Sequence, residues 1–291
     1  MKIIRSELLG FCMGVRRALE ITENTTGNGI YTLGPLIHNK RVLEDLDKRG
    51  IKTLNDNEFN KSPPTNSTVI IRAHGIPPLL EESLKKKGNK VMDATCPNVK
   101  ANQKTARELS NKNFYVFLAG EKNHGEIIGI RAYIDENLCI ICANPDEAEI
   151  AARDLYNSDK NAKTALMAQT TISHDEFNAI GKKILNFFPE LKIRDTICNA
   201  TERRLEALRK LCAKTDAVIV IGGQDSANTR RLFYLAKELG KETWLIESAS
   251  DLPADIADYE TIGLCAGAST PDFLIREIEE QLAIQYNISL R

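Results

Sequence analysis

Three cysteines share one setting: Cys12 in GFCMGVRRALE, Cys96 in DATCPNVKANQKTA and Cys198 in TICNATERRLEAL each stand immediately before an amphipathic helical pattern. A helix N-terminus carries unpaired N–H groups and a partial positive charge. That setting stabilises a thiolate, the form of cysteine that binds metal. A single such cysteine reads as a buried, cap-like residue. Three in the same context favour a shared soft-metal centre. No fourth cysteine or histidine stands at an obvious zinc spacing, which favours iron–sulfur over zinc. Three protein ligands rather than four leave one coordination position open, which suggests catalysis rather than scaffolding.

The other four cysteines read differently. Cys139 and Cys142 form a C-x2-C pair, but within LCIIC, a strand-like run. Side chains three apart on a strand point to opposite faces, so this pair is expected in the core. Cys212, beside Leu205 and Leu208, and Cys265 in TIGLCAG are expected to be buried small hydrophobes.

Polar residues cluster after the apolar runs. His38 follows YTLGPLI, His74 follows VIIRA, and His124 and Glu126 follow FYVFLAG. Thr170 and Thr171 follow TALMAQ, Ser226 and Asn228 follow AVIVIGG, and Ser269 follows TIGLCAGA. Ligands of open α/β sheets bind beyond the carboxyl ends of strands. A lone histidine there is a turn residue; three together favour a site. The hydroxyls, amide and imidazoles make an anion cradle, with N–H groups expected at the helix after Thr270-Pro271. For any single Ser or Thr, helix capping is an equal reading. Ser173 with Glu176 reads as a capping box and His174 as exposed and incidental, so these stand outside the site. Glu126 could enter one cleft with His124 and relay protons, although the residue pattern alone slightly favours a solvated glutamate.

The elements that must position these groups alternate along the chain. The runs 68–73, 114–120, 138–143, 164–169, 217–222 and 261–267 read as short buried strands, mostly followed by helices. That alternation predicts α/β architecture with mostly parallel sheets. The cysteine helices open three similar segments of domain size, a divergent repeat with the cysteines near a pseudo-threefold axis. The expected domains are 14–96, 97–193, and 194–291 together with 1–13.

Composition narrows the function classes. The 291 residues hold 39 basic and 40 acidic side chains, a balance that argues against non-specific nucleic-acid binding. No secretory h-region and no apolar run long enough for a membrane span is expected. Seven cysteines in such a chain point to a reducing cytoplasm and to thiol or metal chemistry.

The motifs GFCMGVRRA, YTLGPLIHN, RAHGI, DATCP, HGE, QTT, DTICNAT, SANT and AGASTP occur in this order over nearly the full length. Together they resemble the 4-hydroxy-3-methylbut-2-enyl diphosphate reductase (LytB/IspH) family. The resemblance implies three α/β domains around a central [4Fe–4S] cluster, one per chain, with Cys12, Cys96 and Cys198 as ligands and one open iron. It carries substrate contacts to His38, His74, His124, Thr170, Ser226, Asn228 and Ser269, and the proton-relay carboxylate to Glu126. The implied reaction is reductive dehydroxylation of an allylic diphosphate to isopentenyl and dimethylallyl diphosphate. Its electrons would come from a donor such as ferredoxin or flavodoxin. Ala227 stands where the family commonly has a second serine, and Gly125 where proline is usual, which predicts a more flexible loop under Glu126. Lys100, Lys104, Arg107, Arg203 and Arg204 read as solvated helix faces or as a dock for an acidic donor. Two rival readings keep the cluster: a quinolinate-synthase-type dehydratase, which calls for more Arg or Lys at strand ends, and a non-catalytic redox sensor, which leaves the polar strand ends without a purpose.

Overall fold

The computed structural model describes residues 1–27, 29–37 and 39–286. Its elements run β1 (Lys2–Arg5), α1 (Met13–Glu23), β2 (Ile30–Leu33), α2 (Lys40–Lys48), β3 (Ile51–Leu54), α3 (Asp56–Lys61), β4 (Thr68–Ile71), α4 (Pro78–Lys86), β5 (Lys90–Asp93) and α5 (Pro97–Asn111). They continue β6 (Tyr115–Ala119), α6 (Gly125–Arg131), β7 (Cys139–Cys142), α7 (Pro145–Ser158), β8 (Thr164–Ala168), α8 (His174–Leu185), β9 (Lys192–Ile193) and α9 (Asn199–Cys212). The last are β10 (Ala217–Ile221), α10 (Ala227–Glu238), β11 (Glu242–Ile246), β12 (Thr261–Ala266) and α11 (Asp272–Tyr286).

The strands form three four-stranded sheets, ordered β3-β2-β4-β5, β7-β6-β8-β9 and β11-β10-β12-β1. Every pairing is parallel. The same order therefore occurs three times. The first strand of each set is central, the second lies at one edge, the third is the first strand's other neighbour, and the fourth is the far edge. In the last sheet the fourth place belongs to the N-terminal strand, β1.

Central strands are buried on both faces, as parallel sheets covered by helices require. Along β6, Phe117 and Ala119 join one apolar cluster while Val116 and Leu118 join another. Along β10, Ala217, Ile219 and Ile221 face one cluster, and Val218 and Val220 the other. Cys139 and Cys142 divide between the two clusters around β6, so they do face opposite ways. Cys212 and Cys265 pack together with Val218 and Val220.

Two compact units emerge from the contacts. One comprises Met1–Arg16, Pro35–Gly50 and Asn199–Arg291; the other comprises Arg17–Gly34 and Ile51–Cys198. Among the described residues no helix is long and apolar enough to cross a membrane.

Packing against β12 leaves no room at Gly263. A Cβ there would stand 2.9 Å from Leu211 Cγ and 3.1 Å from Thr215 Oγ1, and Leu211 is itself core. Gly263→Ala is expected to cost about 1–3 kcal/mol through overpacking, read as a lower thermal midpoint. An unchanged midpoint would mean that the α9–β12 interface yields freely.

Candidate functional site

Each candidate cysteine is reached by the same local device. Beyond its edge strand the chain goes on bonding to the neighbouring strand and its extension, and the last of these backbone hydrogen bonds, made by the cysteine, comes immediately before a helix. Cys12 N–H donates to Ala268 O (3.0 Å), Cys96 N–H to Ala73 O (2.9 Å) and Cys198 N–H to Thr170 O (2.8 Å). Each acceptor is the second residue past the end of its strand: β12, β4 and β8. Helices α1, α5 and α9 begin at the very next residues, Met13, Pro97 and Asn199. Pro97 suits that place because the first turn has no use for its missing N–H.

Local residues hold these junctions. Gly10, with φ +70°, makes the turn before Cys12, where a Cβ would lie 2.5 Å from Asp272 Oδ1. Arg204 was expected on a solvated face. It is buried instead, donating to Gly10 O (2.6 Å) and Ala266 O (3.2 Å), so it fixes the Cys12 turn and is no part of a docking face. Arg17 donates to Thr95 O (3.1 Å) and Asp93 O (3.3 Å), just ahead of Cys96. Strand β9 has only two residues, and Thr196 extends its ladder by side chain: its Oγ1 accepts Ala168 N–H (2.7 Å) and donates to Ala168 O (2.9 Å).

The cysteines divide by environment. All seven are free thiols; Cys12, Cys96 and Cys198 are half-buried at helix starts, Cys139 is half-buried at the start of β7, and Cys142, Cys212 and Cys265 are buried. Burial pushes the thiols of Cys139 and Cys142 up to about 11 and about 12, and those of Cys212 and Cys265 up as well. The latter four are thus held as neutral thiols. Among the described residues no three His, Cys, Asp or Glu side chains already stand as a closed metal cage. The donor chemistry nevertheless fits a thiolate-held group: three accessible cysteines at helix N-termini, set apart from four that burial keeps protonated.

Glu126 departs most from its expected setting. It is 1% exposed rather than solvated. Its Oε1 accepts Thr170 N–H (2.8 Å) and its Oε2 accepts Thr170 Oγ1–H (2.7 Å). Burial raises its carboxyl from the ordinary 4.5 to about 7, outweighing the two Thr170 bonds that favour the ionised form. Thr170 thereby joins Glu126 through its N–H and hydroxyl to Cys198 through its carbonyl.

His124 precedes α6, and its Nδ1 accepts Glu126 N–H (3.2 Å), which leaves the imidazole proton on Nε2 in the neutral ring. The His74 ring stands edge-on to it at 5.2 Å. Gly75, with φ +75°, turns the chain after His74 where a Cβ would meet Gln103 Nε2 at 2.4 Å. The space at Gly125 is taken by Arg72: a Cβ there would lie 2.7 Å from Arg72 Nη2. His38 lies outside the described residues.

In the other unit Ser226 caps α10, its Oγ accepting Thr229 N–H at 3.4 Å, so the capping reading of this hydroxyl holds. Asn228 Nδ2 is buried with no hydrogen-bond partner among the described residues, as is Thr229 Oγ1. A buried unsatisfied donor is costly, so Asn228 suits a ligand oxygen. Thr270 is spent on the fold: its Oγ1 donates to Ile221 O (2.9 Å) and its N–H to Gly267 O (3.1 Å), leaving neither for an anion. Ser269 is half-buried beside it. Ser173 caps α8 through Glu176 N–H, while His174, expected to be exposed, is half-buried 3.8 Å from Asp195 Oδ2.

The α5 face expected as a cationic dock is of mixed charge. Lys100, Lys104 and Arg107 line a cavity of about 270 Å³ together with Glu81 and Asp93, and Lys100 pairs with Asp93 at 2.5 Å. Sequence reasoning missed Asn98, whose Nδ2 lies 3.2 Å from Cys198 Sγ, and Asn102, whose Nδ2 donates to Thr196 O at 3.1 Å.

The sequence profile described as "LytB protein" matches residues 3–283. A 4-hydroxy-3-methylbut-2-enyl diphosphate reductase of Treponema denticola is 46% identical over 97% of this chain and 99% of that protein. The reductase of the same name from Aquifex aeolicus is 39% identical over 96% and 95%. Among solved structures, an (E)-4-hydroxy-3-methyl-but-2-enyl diphosphate reductase, the terminal enzyme of the non-mevalonate pathway, superposes with a TM-score of 0.75 at 39% identity, covering 98% of this chain and 99% of that one. The Plasmodium falciparum E-1-hydroxy-2-methyl-but-2-enyl-4-diphosphate reductase gives 0.84 at 30% identity, over 97% and 88%. A profile match over almost the whole sequence, and relatives alike from end to end, carry one conclusion: the chain belongs to the LytB protein family.

Proposed function

We propose that this chain is an iron–sulfur reductase acting on 4-hydroxy-3-methylbut-2-enyl diphosphate in the cytoplasm, as the last step of the methylerythritol phosphate route. Two electrons and two protons replace the allylic C–OH by C–H and release water, giving isopentenyl and dimethylallyl diphosphate. The carrying observation is a buried carboxyl, Glu126, bonded through both oxygens to Thr170, whose carbonyl accepts the N–H of Cys198. A proton source is thereby tied by one residue to a candidate metal ligand.

Cys12, Cys96 and Cys198 would hold a [4Fe–4S] cluster that supplies the electrons and one open, Lewis-acidic iron when bound. Electrons reach it from a ferredoxin- or flavodoxin-type donor. The chain's own residues bind, orient and protonate. His38, His74, His124, Ser226, Asn228 and Ser269 contact the diphosphate, and the unpartnered Nδ2 of Asn228 supports its part in this. Below pH about 7 Glu126 carries its proton. Its Oε2–H then donates to Thr170 Oγ1, and the Thr170 hydroxyl passes a proton to the leaving oxygen. Three domains at 14–96, 97–193 and 194–291 with 1–13 form part of the proposal; the three sheets, each contained in one of these spans, support it.

The deciding test is anaerobic oxidation of reduced methyl viologen by reconstituted protein, with and without the diphosphate. Oxidation should require substrate. Glu126→Gln should lose on the order of 10²-fold or more in turnover while keeping its iron and sulfide. The parent's rate should fall as pH rises above about 7, where Glu126 gives up its proton. Near-normal turnover in the variant would remove Glu126 from its role.

Iron analysis separates the cysteines. Cys→Ser at 12, 96 or 198 should lose cluster and activity together, whereas Cys139→Ser and Cys142→Ser should retain both. Full iron and sulfide in Cys96→Ser would contradict the ligand set.

Glu126 also links pH to stability. Its folded value of about 7 lies above the ordinary 4.5, so between these the native chain holds a proton that the unfolded chain has lost. This contribution is complete below about 4.5 and is lost as pH rises through about 7, a change of order 3 kcal/mol. Glu126→Gln lacks the titration. Its thermal midpoint relative to the parent should therefore improve between pH 5 and pH 8, and a constant difference would show that Glu126 does not titrate in that window.

A further inference from the structure

We infer that Asn98 tunes the reduction potential of the centre held by Cys198, by donating a hydrogen bond to that ligand's sulfur; the inference rests on the proposed cluster. Asn98 Nδ2 lies 3.2 Å from Cys198 Sγ. Asn98 is the second residue of α5, the helix that opens after Cys96, so one candidate ligand's helix carries a donor to another's sulfur.

The contact is built into its surroundings. One turn further along α5, Asn102 is buried and donates its Nδ2 to Thr196 O at 3.1 Å. Residues four apart share a helix face. The pair thus grips the segment 196–198 at two points, with Asn102 setting the spacing and Asn98 reaching the sulfur. The segment is anchored on its other side, where Cys198 N–H donates to Thr170 O and Thr196 Oγ1 bridges Ala168. The backbone of Cys198 is therefore held beside the amide that its sulfur accepts from.

The chemical consequence follows from charge. Reduction adds negative charge to a cluster and its thiolates, and hydrogen bonds to the sulfurs help to set the potential. An amide N–H aimed at Sγ stabilises the more negative state without adding a formal charge. It raises the potential and makes reduction by a donor easier. Asn98 is a positioning residue in this sense: it touches a ligand, not the substrate. Its side chain is exposed in the first turn of α5, so its replacement should leave the fold intact.

The experiment is a potentiometric titration of the anaerobically reconstituted full chain, followed by electron paramagnetic resonance, with iron and sulfide measured on each sample. Asn98→Leu should take up the same iron and sulfide and show a lower midpoint. A tenfold change in the one-electron equilibrium would appear as about 59 mV. Asn98→Gln, which keeps an amide donor, should fall between Asn98→Leu and the parent. Asn102→Leu should shift the midpoint in the same direction without touching the sulfur. An unchanged midpoint in fully loaded Asn98→Leu, or equal lowering in Asn98→Leu and Asn98→Gln, would overturn the inference alone. A parent chain that takes up no iron and sulfide would overturn the cluster reading, and the inference with it.

Discussion

The last rung of each edge strand's hydrogen-bond ladder is the constraint on which the site depends. In a parallel sheet all strands point the same way, so the residues that follow them collect along one edge. At Cys12, Cys96 and Cys198 the cysteine's own N–H makes that final bond, to Ala268, Ala73 and Thr170. The helix starts at the next residue, so each cysteine is fixed to the sheet by its backbone at the N-terminus of a helix. A register slip in β1, β5 or β9 would displace the thiol and its helix together. Because the acceptors Ala268 and Ala73 stand directly before Ser269 and His74, and Thr170 is itself an acceptor, the same rungs also set the polar strand ends.

Burial and hydrogen bonding compete at Glu126, and their balance gives the residue its chemistry. Two bonds from Thr170 favour the carboxylate, while almost complete desolvation favours the acid. Desolvation wins, which leaves a carboxyl that can hold or release a proton near neutrality. An exposed glutamate at this position would remain ionised and could supply no proton at pH 7. The fold provides the burial by starting α6 at Gly125, so that the first turn packs Glu126 and Ile127 inward. Arg72 occupies the room that a side chain at 125 would need.

What was legible in the sequence follows burial. Central strands β4, β6, β8, β10 and β12 read as continuous hydrophobic runs, whereas the central β2, IYTL, with polar Tyr31 and Thr32 in its middle, was missed. Edge strands KIIR, IKTL, KVMD, KI and ETWLI carry charges and half-exposed residues, so their periodicity is weak and they were missed. The edge strand β7, CIIC, was found because it is apolar throughout. The cysteine–helix junctions could be read because a helix start has local signals. The environments of Glu126 and Arg204 could not, because each depends on partners far along the chain: Thr170 for the one, Gly10 and Ala266 for the other. Asn98 was hidden for the same reason, since its acceptor Cys198 is a hundred residues away.

The third sheet shows why the chain's first strand matters to its last. Strands β10, β11 and β12 repeat the order of the other two sets, but among the described residues no strand after β12 fills the fourth place. β1 fills it, pairing Lys2 with Thr261 through Arg5 with Leu264. The closure is reinforced by Arg5, which bonds the buried Glu279 of α11 through two nitrogens, at 2.5 and 2.6 Å. Beyond β1, Arg204 of α9 binds Gly10 O and Ala266 O together, joining the turn before Cys12 to the end of β12. A buried charge is costly unless its donors are satisfied, and these two bonds tie the turn before Cys12 to α9 and to the end of β12. The N-terminal cysteine is therefore positioned by residues of the C-terminal third of the chain.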